Sequence, residues 1–166
     1  MIFQLDQCAN SKMLIESCTG EEQKVEVRRL PNRLVGSKDP DLLREVLPTG
    51  QTLVTTDRTI HTEHWQHFPS THAGVVIVAT NSTVRTLTTR RVMSILAAFK
   101  RNFPSWHKVS LGNSVVEITE GGVEVWRAAE GRLDRVRYLD FQTADWRTAL
   151  AQILERNAQR GSIGRE

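Results

Sequence analysis

At 166 residues, with 39% hydrophobic and 25% charged side chains, the chain has the size and composition of one globular domain that folds without disulfides or a structural metal. Its formal charge of +3 and pI near 9.2 suit a polyanionic partner without requiring one. No apolar run reaches the ~18 to 20 residues of a membrane helix, and the start MIFQLDQCANS lacks the basic and apolar regions of a secretion signal. Cys8 and Cys18 have no Cys or His at zinc-finger spacing. A cytoplasmic protein with reduced thiols and no membrane contact is expected.

Residues 1–5 are apolar-leaning and are followed by an acid, which reads as a first strand with Asp6 just past its C-terminal end. A helix is expected over 10–17, where Ser11 can cap, and a second strand over 24–28, where polar and apolar residues alternate. Residues 31–38 form a loop. Residues 39–47 read as a helix, with Asp39 in the N-cap role and Pro40 at the first helical position; Pro48 and Gly50 stop it. The β-branched run 52–56 is a strand with Asp57 directly after it. Residues 75–78 are continuously apolar, as in a strand buried on both faces of a parallel sheet.

The clearest helix covers 88–102, where Val92, Ile95, Leu96 and Phe99 recur at three- and four-residue spacing before Pro104. Residues 115–119 and 123–126 flank Glu120, Gly121 and Gly122 as a hairpin. A strand over 136–141 and an amphipathic helix over 143–156 (Trp146, Leu150, Ile153 and Leu154 apolar) precede an end expected to fray. Strands alternating with helices through residue 102 predict an α/β fold: a mostly parallel, helix-flanked sheet with a hairpin at its edge.

In open α/β sheets, ligands bind beyond the carboxyl ends of the strands. Asp6 and Asp57 both follow predicted strands, and Asp39, opening a helix after a loop, could face the same edge. Three converging carboxylates repel one another and call for a hard cation with oxygen ligands, Mg²⁺ or Mn²⁺. Such an ion polarises a phosphodiester and activates water. The plainer reading of Asp39 is an N-cap, and that of Asp57 is a side chain closing a turn.

The order of these motifs resembles a known family. Residues 1–6, then Asp39-Pro40-Asp41-Leu42-Leu43, then Thr52-Leu53-Val54-Thr55-Thr56-Asp57, then Gly74-Val75-Val76-Ile77-Val78 are similar to the small bacterial PIN-like proteins grouped as DUF5615. These are relatives of Mut7-C and of the PIN-domain ribonuclease toxins. The resemblance covers about residues 1–127 as one domain and leaves 128–166 as a C-terminal extension. It implies a three-layer α/β/α fold and a metal-dependent ribonuclease, with Asp6, Asp39 and Asp57 as catalytic and metal-binding acids and Asp41 a substitute ligand. RNA as substrate and an antitoxin protein as partner follow from the same resemblance.

The chain departs from the family in two places. Asp6-Gln7-Cys8 stands where the family commonly has Asp-Glu-Asn, and Thr59 stands where a further acid is common. Fewer carboxylates weaken divalent binding, so a PIN-like module that has lost catalysis and binds RNA or a protein is the alternative.

Arg28, Arg29 and Arg33 precede the proposed site, Arg58 adjoins Asp57, and Arg85, Arg90 and Arg91 lie near the long helix. Of these, Arg33, Arg58, Arg90 and Arg91 are candidate phosphate ligands. His61, His64, His67 and His72 cluster without the H-E-x-x-H order of a metalloprotease. They read as a polar surface loop or short helix beside the site, with one ring touching phosphate; the alternative is a zinc or nickel site, since the three-residue spacing lets one helical face present the rings of His61, His64 and His67. Trp146, Leu150 and Ile153 are expected to pack back on the domain; the other outcome is a surface for a partner or a second copy.

Overall fold

The computed structural model of the chain describes residues 2–6, 26–79, 89–129 and 131–160. Seven strands form one sheet: β1 (Ile2–Leu5), β2 (Glu26–Arg28), β3 (Thr52–Thr55), β4 (Val75–Val78), β5 (Ser114–Ile118), β6 (Gly122–Ala129) and β7 (Arg132–Asp140). Their order is β2-β1-β3-β4-β5-β6-β7. The first five are parallel, and β5, β6 and β7 continue as an antiparallel meander. The helices are α1 (Asp39–Val46), α2 (Ile60–His64), α3 (Thr89–Asn102) and α4 (Trp146–Gln159). The α/β fold and the hairpin at the edge of a parallel sheet stand as the sequence implies.

The central strands are apolar because both faces are covered. Leu5, Val54, Val76, Val116 and Ile118 pack with Val92, Ile95 and Phe99 of α3 and with Trp146, Leu150 and Leu154 of α4. The alternate residues Leu53, Val75, Ile77 and Val115 pack with Leu42, Leu43 and Val46 of α1 and Ile60 of α2. Two cores therefore sandwich the sheet, as period-two alternation requires.

Several boundaries differ from expectation. The helix that was to open on Asp39 as its cap is capped by Lys38, whose side chain makes no capping bond; Asp39 is its first helical residue. Its carboxylate is thus not spent on the helix end, and Pro40 occupies the second position. Strand β3 ends at Thr55, so Thr56 intervenes before Asp57. Strand β7 begins at Arg132, four residues early, because an exposed edge strand needs no apolar alternation to pair with β6. The last helix starts at Trp146 after a turn in which Gln142 N donates to Asp140 Oδ1 at 2.8 Å. The expected helix over 10–17, the first residues of the strand over 24–28 and the chain end lie outside the described residues.

The segment after residue 127 contributes β7 and α4 to the same sheet and core. Trp146 and Leu150 are buried against Phe99 and Phe103 rather than offered to a partner or second copy. No helix among the described residues is long and apolar enough to cross a membrane.

Candidate functional site

Strand β1 has β2 on one side and β3 on the other. At such a reversal the chain leaves in opposite directions, opening a crevice at the carboxyl ends of the two strands, where doubly wound sheets bind ligands. Asp6 follows β1 there and Asp57 follows β3, two residues beyond its end. Strand register fixes Asp6 further. Leu5 pairs with Val54, and both face the α3–α4 core, so the next residues, Asp6 and Thr55, face the α1–α2 side.

Asp6 is only 8% exposed, and Thr55 Oγ1 donates to its Oδ2 at 2.7 Å. The Asp6 amide donates to Val54 O at 2.8 Å, locking the backbone beyond the strand. Thr55 Oγ1 also accepts from the Asp57 amide at 3.1 Å, so one hydroxyl ties two acids together. Asp57 Oδ1 accepts from the Thr59 amide at 2.8 Å and from its hydroxyl at 2.9 Å. The turn-closing reading of Asp57 therefore holds for one of its oxygens.

Asp39 arrives from the start of α1. Its carboxyl stands above the ordinary aspartate range, first because burial disfavours the charge, then because of the Asp57 and Asp6 charges beside it. A hydrogen bond with the Asp57 carboxyl pushes the same way, while His64 opposes it; His64 Nε2 is 3.7 Å from Asp39 Oδ2. The three acids thus feel one another electrostatically. Asp41 is exposed and turned to Arg44 at 3.4 Å. Among the described residues, no three His, Cys, Asp or Glu side chains are gathered closely enough to hold a metal ion.

The arginines divide. Arg33 pairs with Glu45 at 2.8 Å, Arg58 with Glu117 at 2.5 Å, and Arg91 with Glu120 of the β5–β6 turn. Arg90 is exposed at the first turn of α3. Arg85 lies outside the described residues.

The four histidines do not share one surface. Helix α2 stops at His64, so the three-residue spacing does not present three rings on one face. His61 is 2% exposed and lies edge-on to Trp126 at 4.8 Å, and neither of its ring nitrogens has a hydrogen-bond partner. Burial holds its pKa down against the raising charges of Glu124 and Asp57. His72 is also buried; its Nε2 is 2.6 Å from Ala128 O and its Nδ1 accepts from Gly74 N, so it braces the β4 entry. His64 faces Asp39, and His67 Nδ1 is 3.1 Å from an Arg44 nitrogen.

Sequence reasoning missed Glu117. In a strand buried along its whole length, next to Val116 and Ile118, this carboxylate is 5% exposed. Burial raises its pKa, the hydrogen bond and charge of Arg58 lower it, and Glu124 raises it again. The signal was present: a lone acid inside Val115-Val116-Glu117-Ile118 needs a cation to accompany it inward.

In comparisons with known proteins, the chain matches no family model, no curated protein and no solved structure.

Proposed function

We propose that the chain is a cytoplasmic Mg²⁺- or Mn²⁺-dependent endoribonuclease of PIN-like type, acting as the toxin of a toxin–antitoxin pair. The observation that supports this reading is that Asp6 and Asp57 share the Thr55 hydroxyl at the β1/β3 reversal, and that burial and then the charges of these two acids raise the pKa of Asp39. The three acids offer carboxylate oxygens and no sulfur, the donor type a hard cation takes, and would have to draw closer together than they stand among the described residues to bind one. Asp6, Asp39 and Asp57 would hold the ion. Once bound, it supplies polarisation of a phosphodiester and activation of water near neutral pH.

The chain's own residues prepare that site. Thr55 orients the buried Asp6 carboxylate, and the Thr59 amide and hydroxyl orient Asp57. His64 offsets part of the charge on Asp39. Arg90, at the amino end of α3 where the helix dipole also favours anions, is an exposed cation for an RNA phosphate. The test is cleavage of single-stranded RNA by purified protein with Mg²⁺ or Mn²⁺. The expected result is cleavage that EDTA and Asp6→Asn abolish; equal behaviour of Asp6→Asn and wild type removes the proposal.

One observation favours a second reading, a PIN-like module without catalysis that binds RNA or a protein. Thr59, standing where a further acid is common, occupies Asp57 Oδ1 with two hydrogen bonds, and no three-residue metal group is assembled among the described residues. RNA binding that is metal-independent and unchanged in Asp6→Asn supports this reading over the first.

A further inference from the structure

We propose that the outer face of α3, continued by Lys108, is a track for the phosphodiester backbone of single-stranded RNA. The inference rests on the RNA reading above for its ligand, and on neither the aspartates nor a metal ion. Charge is distributed unevenly along the chain. Six of its 22 lysines and arginines and none of its 19 acids fall in residues 64–116, so the net +3 arises there and the rest of the chain is net acidic. Helix α3 lies within that stretch. Its residues Val92, Ile95 and Phe99 are buried. The exposed Arg90, Ser94, Ala97 and Arg101 follow one another at four-, three- and four-residue steps, which sets them on one outer face. Two arginines about 16 Å apart along the helix axis, at ~1.5 Å per residue, thus bracket a floor of small side chains.

The carboxyl end of α3 gathers more positive charge. The 3₁₀ turn Trp106–Lys108 adds the exposed Lys108. Arg147 Nε donates to Asn102 O, which brings another exposed guanidinium to the same end. Among the described residues, Arg90, Arg101 and Lys108 stand in no ion pair, whereas Arg91 is held by Glu120. Arg101 in the last turn suits the helix dipole, but Arg90 in the first turn opposes it, and no acid stands in that turn to offset it. Local helix energetics does not account for Arg90; a bound anion does.

The side chains between the cations select the kind of polyanion. An anionic membrane is gripped by apolar residues set beside basic ones. The exposed large hydrophobics among the described residues, Val35, Val136 and Tyr138, all lie off α3. An acidic protein segment draws its affinity from buried aromatic or aliphatic anchors, and Ser94 and Ala97 provide no pocket for them. A nucleic-acid backbone needs neither, because each phosphate met by a Lys or Arg releases counter-ions.

The experiment is fluorescence anisotropy of a labelled short oligouridine with the full chain, in EDTA, from about 50 to 200 mM KCl. Three contacts at roughly 0.7 each predict that Arg90→Gln/Arg101→Gln/Lys108→Gln flattens the log–log salt slope by about two and weakens binding by about tenfold or more at low salt. Its Tm should stay within about 2 °C of wild type, since all three side chains are exposed. The control Arg132→Gln/Arg137→Gln/Arg156→Gln removes the same charge from β7 and α4 and should bind within about twofold of wild type. A loss confined to the α3 variant supports the inference. Equal binding by that variant, an equal loss in the control, or polyglutamate bound as tightly as oligouridine overturns it and leaves the aspartate site to its own test by Asp6→Asn. Wild type that binds no oligouridine overturns both this inference and the RNA reading.

Discussion

The two faces of the sheet are built on opposite terms. On the α3–α4 side, Phe3, Leu5, Val54, Val76, Val116 and Ile118 meet Phe99, Phe103, Trp106 and Trp146, and the buried polar contact of Asn157 with Ser114 is uncharged. An apolar cavity of about 50 Å³ lies among them, and no acid is found among its described lining residues. On the α1–α2 side, the apolar core around Leu43, Leu53, Ile60 and Ile77 gives way toward the carboxyl ends of the strands to Asp6, Thr55, Glu117 and Glu124, with Asp57, Arg58 and His61 above. One face holds the fold together by dispersion and the hydrophobic effect. The other gives up part of that stability to carry charge at the β1/β3 reversal, as functional sites commonly do.

Removing an anchor from the apolar face should give the largest effect. Trp146 contacts Phe99, Phe103 and Phe141, so Trp146→Ala is expected to cost about 3 to 5 kcal/mol, on the order of 10 °C in Tm. Mn²⁺ affinity of the variant that remains folded should be within about twofold of wild type. A large change in affinity would mean that the faces are not independent.

The polar face should respond in the opposite direction. His61 is buried with both nitrogens unpartnered, so His61→Leu is expected to stabilise by about 1 kcal/mol at pH 7.5 in urea denaturation. Its folded-state pKa lies below the ordinary value of 6.5. The stability it contributes is therefore present above that value and lost as pH falls through the folded value. The advantage of His61→Leu should accordingly widen at pH 5.5. Destabilisation at both pH values would show that the ring has a partner.

A smaller effect is expected at Asp39, whose pKa is raised. Its favourable contribution is present below the ordinary aspartate range and lost as pH rises through the folded value. In EDTA at pH 7, Asp39→Asn should be more stable by about 0.5 kcal/mol, given the water screening of this partly exposed side chain. The gain should shrink toward pH 4.

Much of the apolar architecture was legible in the sequence. Residues 75–78 coincide with β4, and the Val92, Ile95, Phe99 spacing marks α3, because periodicity is set by which face is buried. Asp6 could be placed beyond β1 for the same reason. What hid was set by tertiary contact. The histidine spacing mimics a helical face, but α2 is too short to display it, and His61 and His72 turn inward for packing. Asp39 before a proline looks like a cap, yet the cap falls one residue earlier. The Glu117–Arg58 pair joins residues 59 apart, which no local pattern reveals.

The account depends most on Asp6, Asp39 and Asp57 forming one cation site. Titrating Mn²⁺ into the wild-type chain and into Asp57→Asn, followed by calorimetry at pH 7, tests this directly. The account predicts saturable binding by wild type and a loss of at least tenfold in Asp57→Asn. Wild type without binding, or Asp57→Asn binding equally well, would contradict it.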